Sequence, residues 1–309
     1  MKKILVTGGA GFIGSHVVEA YLKRGHPVVV VDNLSTGRRE NVPPTAAFYQ
    51  VDIRDAQALN EVFDLEKPEI VNHHAAQMNV RISAEDPVFD AETNVLGSLN
   101  VLEACRRIGV EKLIYASSGG ACYGETDVLP TPETHPTWPV SPYGVSKHAV
   151  EHYIFAYSKL YGLKYTILRY ANIYGPRQNP EGEAGIVAIF ASRMLRGEPC
   201  TIFGDGLHER DYLHVFDAAQ INVLALDGAD NEVLNVGTGV RRTNLDVFRT
   251  LAAAVGTDAE PQFGPERLGD LRASALDCTK AALLLGWRPT ISFEEGIRQT
   301  VDWFRSTMQ

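Results

Sequence analysis

Tyr143 and Lys147 stand four residues apart in the run Ser141-Pro142-Tyr143-Gly144-Val145-Ser146-Lys147. Ser141 suits a helix cap and Pro142 the first helical position, so the two side chains share one helical face. A phenol is a poor base at neutral pH. A nearby ammonium favours the phenolate and lowers the Tyr pKa, which would make Tyr143 a proton acceptor. Alone, such a pair is as readily an incidental pair on a helix surface. A hydroxyl partner is available where the strand-like run Leu113-Ile114-Tyr115-Ala116 ends in Ser117 and Ser118, followed by Gly119-Gly120-Ala121. One serine can orient a substrate hydroxyl and relay its proton to Tyr143, while the other bonds local backbone, the role better suited to Ser117.

The elements that must hold these groups begin at the N-terminus. Lys3-Ile4-Leu5-Val6 feeds Thr7-Gly8-Gly9-Ala10-Gly11-Phe12-Ile13-Gly14, a strand running into a glycine turn and then a helix. Glycines at 8, 11 and 14 permit a bent backbone, close approach of a pyrophosphate and tight helix–strand packing, and the helix start offers free N–H groups to the phosphates. A second apolar run, Val28 to Val31, ends at Asp32. A carboxylate there accepts hydrogen bonds from a ribose 2′-OH and repels a 2′-phosphate. The expected ligand is a dinucleotide, NAD rather than NADP, although Arg38 and Arg39 follow closely and soften that preference. Downstream of this fingerprint an incidental Tyr–Lys pair becomes the weaker reading, since the positive nicotinamide would also favour the phenolate.

Strand-like segments at 3–7, 27–32, 69–74, 112–117 and 165–169 alternate with helix-like segments at 12–24, 57–64, 91–108 and 143–162. This alternation predicts an α/β fold, a Rossmann-type doubly wound parallel sheet with helices on both faces. Further helices are expected near 185–196, 215–226, 244–255, 279–285 and 293–306, with Val233-Leu234-Asn235-Val236 returning to the first sheet. The reading is a dinucleotide-binding domain over 1–175, with a returning segment near 230–240. A smaller mixed α/β lobe over 176–309, mostly helical, binds the substrate.

A chain of 309 residues with 45% hydrophobic and 22% charged residues can bury full cores. Its net charge of −9 argues against a nucleic-acid or membrane surface as the main partner. Cys105, Cys122, Cys200 and Cys278 are scattered without a CxxC pair, which suggests a reducing compartment, neither disulfides nor zinc, and a cytoplasmic location. His73 and His74 point to opposite faces of a strand and suggest no metal site, and Cys122 is expected to pack in a core.

The ordered blocks TGGAGFIG (7–14), DNLSTG (32–37), VDIRD (51–55), HHAAQ (73–77), SPYGVSK (141–147), RYANIYGPR (169–177), FGDGLHERDYLHV (203–215), NVGTG (235–239) and PERLGD (265–270), with Asn94 and Gly97, resemble the extended short-chain dehydrogenase/reductase family. Within it the chain is similar to the NAD-dependent nucleotide-sugar epimerases of the UDP-glucose 4-epimerase type. The resemblance covers nearly the whole chain and implies the following roles. Gly8, Gly11, Phe12, Ile13 and Gly14 line the pyrophosphate. Asp32 holds the adenosine ribose, with Asn33, Ser35, Thr36 and Gly37 beside it. Asp52 and Ile53 flank the adenine. Ala75, Ala76 and Gln77, with Asn94, lie at the nicotinamide side, Tyr170 lies by the nicotinamide, and Tyr143 and Lys147 also bond its ribose. Asn172, Arg210 and Arg267 contact the substrate diphosphate and Asp270 the uridine ribose. Gly185, Ile186, Phe203, Tyr212 and Ser274 complete the substrate side.

Two positions depart from the family pattern. The serine strand-end is one residue longer than usual, which makes Ser118 the implied catalytic hydroxyl and leaves Ser117 open. An asparagine often found on the diphosphate corresponds to about Gly185, so backbone replaces that contact. Arg210 in Glu209-Arg210-Asp211 can also be read as a plain salt bridge. The implied reaction is transient oxidation at C4 of a UDP-hexose with bound NAD, interconverting UDP-glucose and UDP-galactose. The small Ser274 leaves room for an N-acetyl group at the sugar 2-position. A 4,6-dehydratase, a UDP-glucuronate epimerase or decarboxylase, and a non-catalytic NAD-sensing scaffold are the rivals. Gly119-Gly120-Ala121 stands where the dehydratases carry Asp-Glu. A homodimer through helices 91–108 and 143–162 is implied, while the choice between uridine and thymidine stays open.

Overall fold

The computed structural model describes residues 1–181, 185–266 and 271–308. Its strands are β1 (Ile4–Thr7), β2 (Val28–Asp32), β3 (Ala47–Gln50), β4 (Ile70–His73), β5 (Lys112–Ser118), β6 (Lys164–Tyr170), β7 (Asn172–Tyr174), β8 (Thr201–Phe203), β9 (Glu209–His214), β10 (Glu232–Val236), β11 (Arg241–Thr243) and β12 (Gln262–Gly264). Its helices are α1 (Phe12–Lys23), α2 (Ala56–Glu66), α3 (Val80–Glu85), α4 (Pro87–Ala91), α5 (Gly97–Ile108), α6 (Gly119–Tyr123), α7 (Pro142–Tyr161), α8 (Ile186–Leu195), α9 (Val215–Leu224), α10 (Asn244–Val255), α11 (Thr279–Leu285) and α12 (Phe293–Thr307).

The near-continuous apolar runs become parallel strands covered on both faces, as their composition requires. β1 and β2 are buried along their whole length. The main sheet runs β10-β6-β5-β4-β1-β2-β3, and all its strand pairs are parallel. Strand order reverses between β1 and β4, the switch point at which open α/β sheets bind ligands. One face packs Val17, Val18 and Tyr21 of α1 with Ala218 and Ile221 of α9. The other packs Leu59 and Phe63 of α2, Leu102 of α5 and Ile154 of α7. A third cluster, Val187, Phe190, Phe248, Leu251, Ile297 and Val301, joins α8, α10 and α12 outside the sheet.

β10 returns to pair with β6, as expected. Two features differ from the sequence reading. The edge strand β3 went unrecognised because Ala47-Phe48-Tyr49-Gln50 is short and, as an edge, only half buried. The outer lobe also holds two small sheets, β11-β9-β7 and β12-β8. Most of their strands span three residues, too few to show alternation, and β9 is masked by its charges. Its Asp211 is 1% exposed because Thr238 and Gly239 donate backbone N–H groups to the carboxylate. Moreover, α9, Ala281 of α11 and Trp287 join the sheet's own core, so the chain crosses between the two bodies more often than one cut with one return.

Candidate functional site

A cleft with about 1210 Å³ of empty space, its open mouth included, lies beyond the carboxyl ends of the central strands. The glycine turn forms its floor. Gly8 has φ +68°, and a Cβ there would stand 2.6 Å from the Ala75 backbone nitrogen; one at Gly14 would stand 2.1 Å from the Gly8 carbonyl oxygen. Only the lack of side chains lets the turn, α1 and the segment after β4 meet. Gly11 caps α1 without a side-chain bond, so among the described residues the first-turn N–H groups keep no side-chain partner and suit an anionic group. Gly11, Phe12, Ile13, Ser35, Thr36 and Ile53 line the cleft.

Asp32 lines it too, 7% exposed, its carboxylate accepting from Ala10 N–H at 3.0 Å and Leu34 N–H at 2.8 Å. Burial raises its pKa, and these backbone donors oppose the rise. Of the basic neighbours, Arg39 lies over the Phe48 ring and Arg38 stands exposed beside Glu40. Asn33 donates to Asp52, which Arg54 grips through two nitrogens. The shape and charge fit a dinucleotide without a 2′-phosphate.

Three expected cofactor positions do not line the cleft. Gly37 packs under Asp32, where a Cβ would stand 3.0 Å from Oδ1. The Asn94 side-chain amide pairs with the Gln77 backbone N–H and carbonyl, and both side chains donate to Asp90, forming a buried knot. Asn94 lies in a π-helical turn, Glu92–Leu96, between α4 and α5.

α7 presents the reacting groups as its sequence dictates. Ser141 caps it by accepting from Gly144 N–H, and Pro142 opens it. Tyr143, Lys147, Ser117 and Ser118 all line the cleft, with Tyr170, Ala75 and Ala76 nearby. The serines have separate fates. Ser117 donates to Glu151 Oε1 at 2.6 Å, inside a network in which Arg169 binds both Glu151 oxygens and reaches the Tyr123 hydroxyl. Ser118 caps α6 by accepting from Ala121 N–H at a long 3.4 Å and stands within hydrogen-bonding range of Tyr143.

The expected fall in the Tyr143 pKa is not found. Burial pushes it up and outweighs the hydrogen bond from Ser118. Lys147 is 4% exposed, its ammonium 4.5 Å from the centre of the Tyr115 ring. Burial lowers its own pKa to about 8. The protein alone therefore keeps Tyr143 a neutral phenol, because desolvation exceeds what the Ser118 hydroxyl returns.

The substrate positions lie around the outer lobe. Parallel register sets Asn172 beside Tyr212, and Arg210 lies two residues earlier on β9, on the same face. Arg210 forms no ion pair among the described residues. Glu209 pairs instead with Arg241, which removes the plain salt bridge as its explanation. Gly185 caps α8 and Ile186 begins it, while Phe203 ends β8. Ser274 donates its N–H to the Glu209 carbonyl, and its hydroxyl lies 3.4 Å from where a Cβ of Gly120 would sit. It therefore abuts α6, the helix that Ser118 caps. Arg267 and Asp270 lie outside the described residues.

Among the lining residues that sequence reasoning did not assign to the site are His74 and Gln178. His74 stacks on Tyr170 with ring centroids 6.2 Å apart, and burial lowers its pKa to about 3, so it is a neutral imidazole. Its place in HHAAQ was the available signal. Gln178 gave none. Cys122, His148 and Glu151 also converge, ligand atoms within 4.8 Å, but Arg169 already engages both Glu151 oxygens.

Residues 4–237 match the NAD dependent epimerase/dehydratase family. The UDP-glucose 4-epimerase of Mycolicibacterium smegmatis is 45% identical over 313 residues, spanning 99% of this chain and 100% of that protein. Among solved structures, the Thermotoga maritima UDP-glucose 4-epimerase with UDP-glucose is 52% identical, TM-score 0.98, covering 99% of this chain and 100% of that one. The Thermus thermophilus UDP-glucose 4-epimerase complex with NAD is 51% identical, TM-score 0.94, covering 98% of this chain and 99% of that one.

Proposed function

The chain belongs to the NAD-dependent epimerase/dehydratase family, and we propose that within it the enzyme is an isomerase, a 4-epimerase interconverting UDP-glucose and UDP-galactose. The observation that carries this choice is the distribution of carboxylates. The cleft's acidic lining residues are Asp32 and Asp52, both at the adenosine end. Beside Tyr143 and Ser118 stand Gly119, packed under Leu276, and Gly120, packed under Ser274. Elimination of water needs an acid and a base at that end, and among the described residues the loop supplies neither.

NAD is the cofactor. The glycine turn and the start of α1 would hold its pyrophosphate, and Asp32 its adenosine ribose. When bound, it supplies oxidation and re-reduction at C4 together with a positive charge near Tyr143. Tyr143 takes the C4 hydroxyl proton and returns it, Ser118 orients that hydroxyl, and buried Lys147 stabilises the phenolate. Arg210, with Asn172 and Tyr212 alongside, would anchor the diphosphate while the sugar turns.

Ser274 extends the reading to the N-acetylhexosamine pair, because its small side chain adjoins α6, which Ser118 caps. Purified enzyme given UDP-glucose should yield UDP-galactose with no net reduced cofactor, and should also interconvert the acetylated pair. Ser274→Tyr should lower the specificity constant for the acetylated sugar about tenfold or more relative to the plain one. A 4-keto-6-deoxy product or carbon dioxide would overturn the epimerase reading. An unchanged ratio in Ser274→Tyr would overturn the role of Ser274.

The partner is a second copy of the chain. Val145, Tyr153 and Leu160 are exposed along one face of α7, at spacings that form a stripe, and α5 packs beside α7. This face supports a homodimer through the two helices. Light scattering at micromolar concentration should report twice the chain mass, and Tyr153→Glu with Leu160→Glu should halve it; monomeric wild type refutes the assignment. The scattered cysteines favour a cytoplasmic setting, and no described helix is long and apolar enough to cross a membrane.

A further inference from the structure

Lys147 carries a positive charge into a nearly dry place. It lines the cleft yet is 4% exposed, and burial works against the charged form. Among the described residues its ammonium has no ion-pair or hydrogen-bond partner. Most titratable groups around it are uncharged. On β4, burial lowers His73 and His74 to about 3. On α6, burial pushes the Cys122 thiol up to about 12. On α7, burial keeps Tyr143 a phenol. Two carboxylates act on the ammonium from beyond ion-pair distance, and both are committed elsewhere. Glu151 is gripped by Arg169 and accepts from Ser117. Asp90, on α4, accepts from Gln77 and Asn94. What stands directly against the ammonium is the face of the Tyr115 ring, its centroid 4.5 Å from Nζ.

The sheet holds that ring in place. Parallel register sets Tyr115 between His73 on β4 and Ile167 on β6, and the residue is 1% exposed. His73, bonded to Thr7 and Ser98, lies tilted against the ring with centroids 5.6 Å apart. The Tyr115 hydroxyl donates to the Lys147 carbonyl at a long 3.5 Å. Burial keeps the phenol neutral, so the ring presents the negative face of an uncharged aromatic. A cation over such a face is attracted, most strongly where both are desolvated. An aliphatic side chain there would fill space without that field.

We propose that Tyr115 is a positioning residue, whose ring face keeps the Lys147 ammonium charged and in place and so preserves the charge that a Tyr143 phenolate needs. This role rests on the proton transfer assigned to Tyr143 and Lys147, and one of its two tests does not use that reaction.

Trifluorophenylalanine in place of Tyr115 keeps the shape of the ring and cancels most of its negative face. The Nζ resonance of Lys147, assigned by its loss in Lys147→Arg, is followed against pH in the full chain. In wild type it should titrate near pH 8. With the fluorinated ring it should titrate about one pH unit lower, and in Tyr115→Phe where wild type does. In turnover of UDP-glucose by the holoenzyme, the basic limb of the pH profile, where Lys147 loses its proton, should move down by the same amount with the fluorinated ring. A titration and a basic limb that stay in place would overturn the proposal, even if the plateau fell. An equal shift in Tyr115→Phe would assign the effect to the hydroxyl and overturn it as well. Absence of turnover in wild type would refute the reaction, and the Nζ titration alone would then decide the role of the ring.

Discussion

Tyr143→Phe is expected to lower turnover of UDP-glucose by about three orders of magnitude while NAD and UDP-sugar remain bound. The substitution removes the one oxygen that takes the C4 proton, and general-base groups typically contribute ~10²–10⁴-fold. In the protein alone burial holds Tyr143 neutral, so its basicity depends on charge gathered around it in the complex. Lys147 is the resident part of that charge, and its pKa of about 8 leaves it mostly protonated at neutral pH. Ser118→Ala should lower turnover less than Tyr143→Phe, because Ser118 acts on the same proton through Tyr143. Ser117→Ala should lower it least, since that hydroxyl is committed to Glu151. Steady-state turnover of the three variants decides the order. Near-normal turnover in Tyr143→Phe would remove it from the mechanism, and a more damaging Ser117→Ala would reassign the hydroxyl.

Glu151→Ala should be the most destabilising single change near the site, costing about 3–5 kcal/mol. Glu151 and Arg169 side chains are 5% and 7% exposed, paired at 2.6 Å. His148 and Ser117 contribute further hydrogen bonds to the carboxylate. Removing the acid leaves a guanidinium buried without its counter-charge, which costs more than the pair is worth. Glu151→Leu combined with Arg169→Met should therefore cost less than Glu151→Ala alone. Burial by itself would raise the Glu151 pKa, but His148, Arg169 and Ser117 outweigh it and bring it from 4.5 to about 2. A depressed carboxylate pKa stabilises the fold fully above the unfolded value and loses that contribution as pH falls through the folded one. Wild type should accordingly lose stability between about pH 4.5 and pH 2, and the doubly substituted protein should lose less across that window. Chemical denaturation over this range checks both statements. A single variant no less stable than the double would show that the pair is not what holds α7 against β5 and β6.

The cofactor half of the site was legible in the chain because it is local. Gly8, Gly11 and Gly14 form one turn, Asp32 ends the next strand, and Tyr143 and Lys147 share one helix, so spacing alone places each group relative to its neighbours. The parallel sheet, the two-sided burial and the return of Val233–Val236 followed from apolar runs alternating with helical segments, while the strand order came with the fold. What folding alone decided is non-local. The direction of the Tyr143 pKa depends on how much water the packed sheet excludes, which no spacing records. Ser117, expected to bond local backbone, instead gives its hydroxyl to Glu151 from another element, and the local backbone bond falls to Ser118. Arg210 is freed from its sequence neighbour because Glu209 pairs across to Arg241. Ser274 reaches α6, and the Tyr115 ring meets the Lys147 ammonium, only through contacts between segments that are distant in sequence. Short strands carry no periodic signal, so the substrate half of the site waits for the fold to bring its parts together.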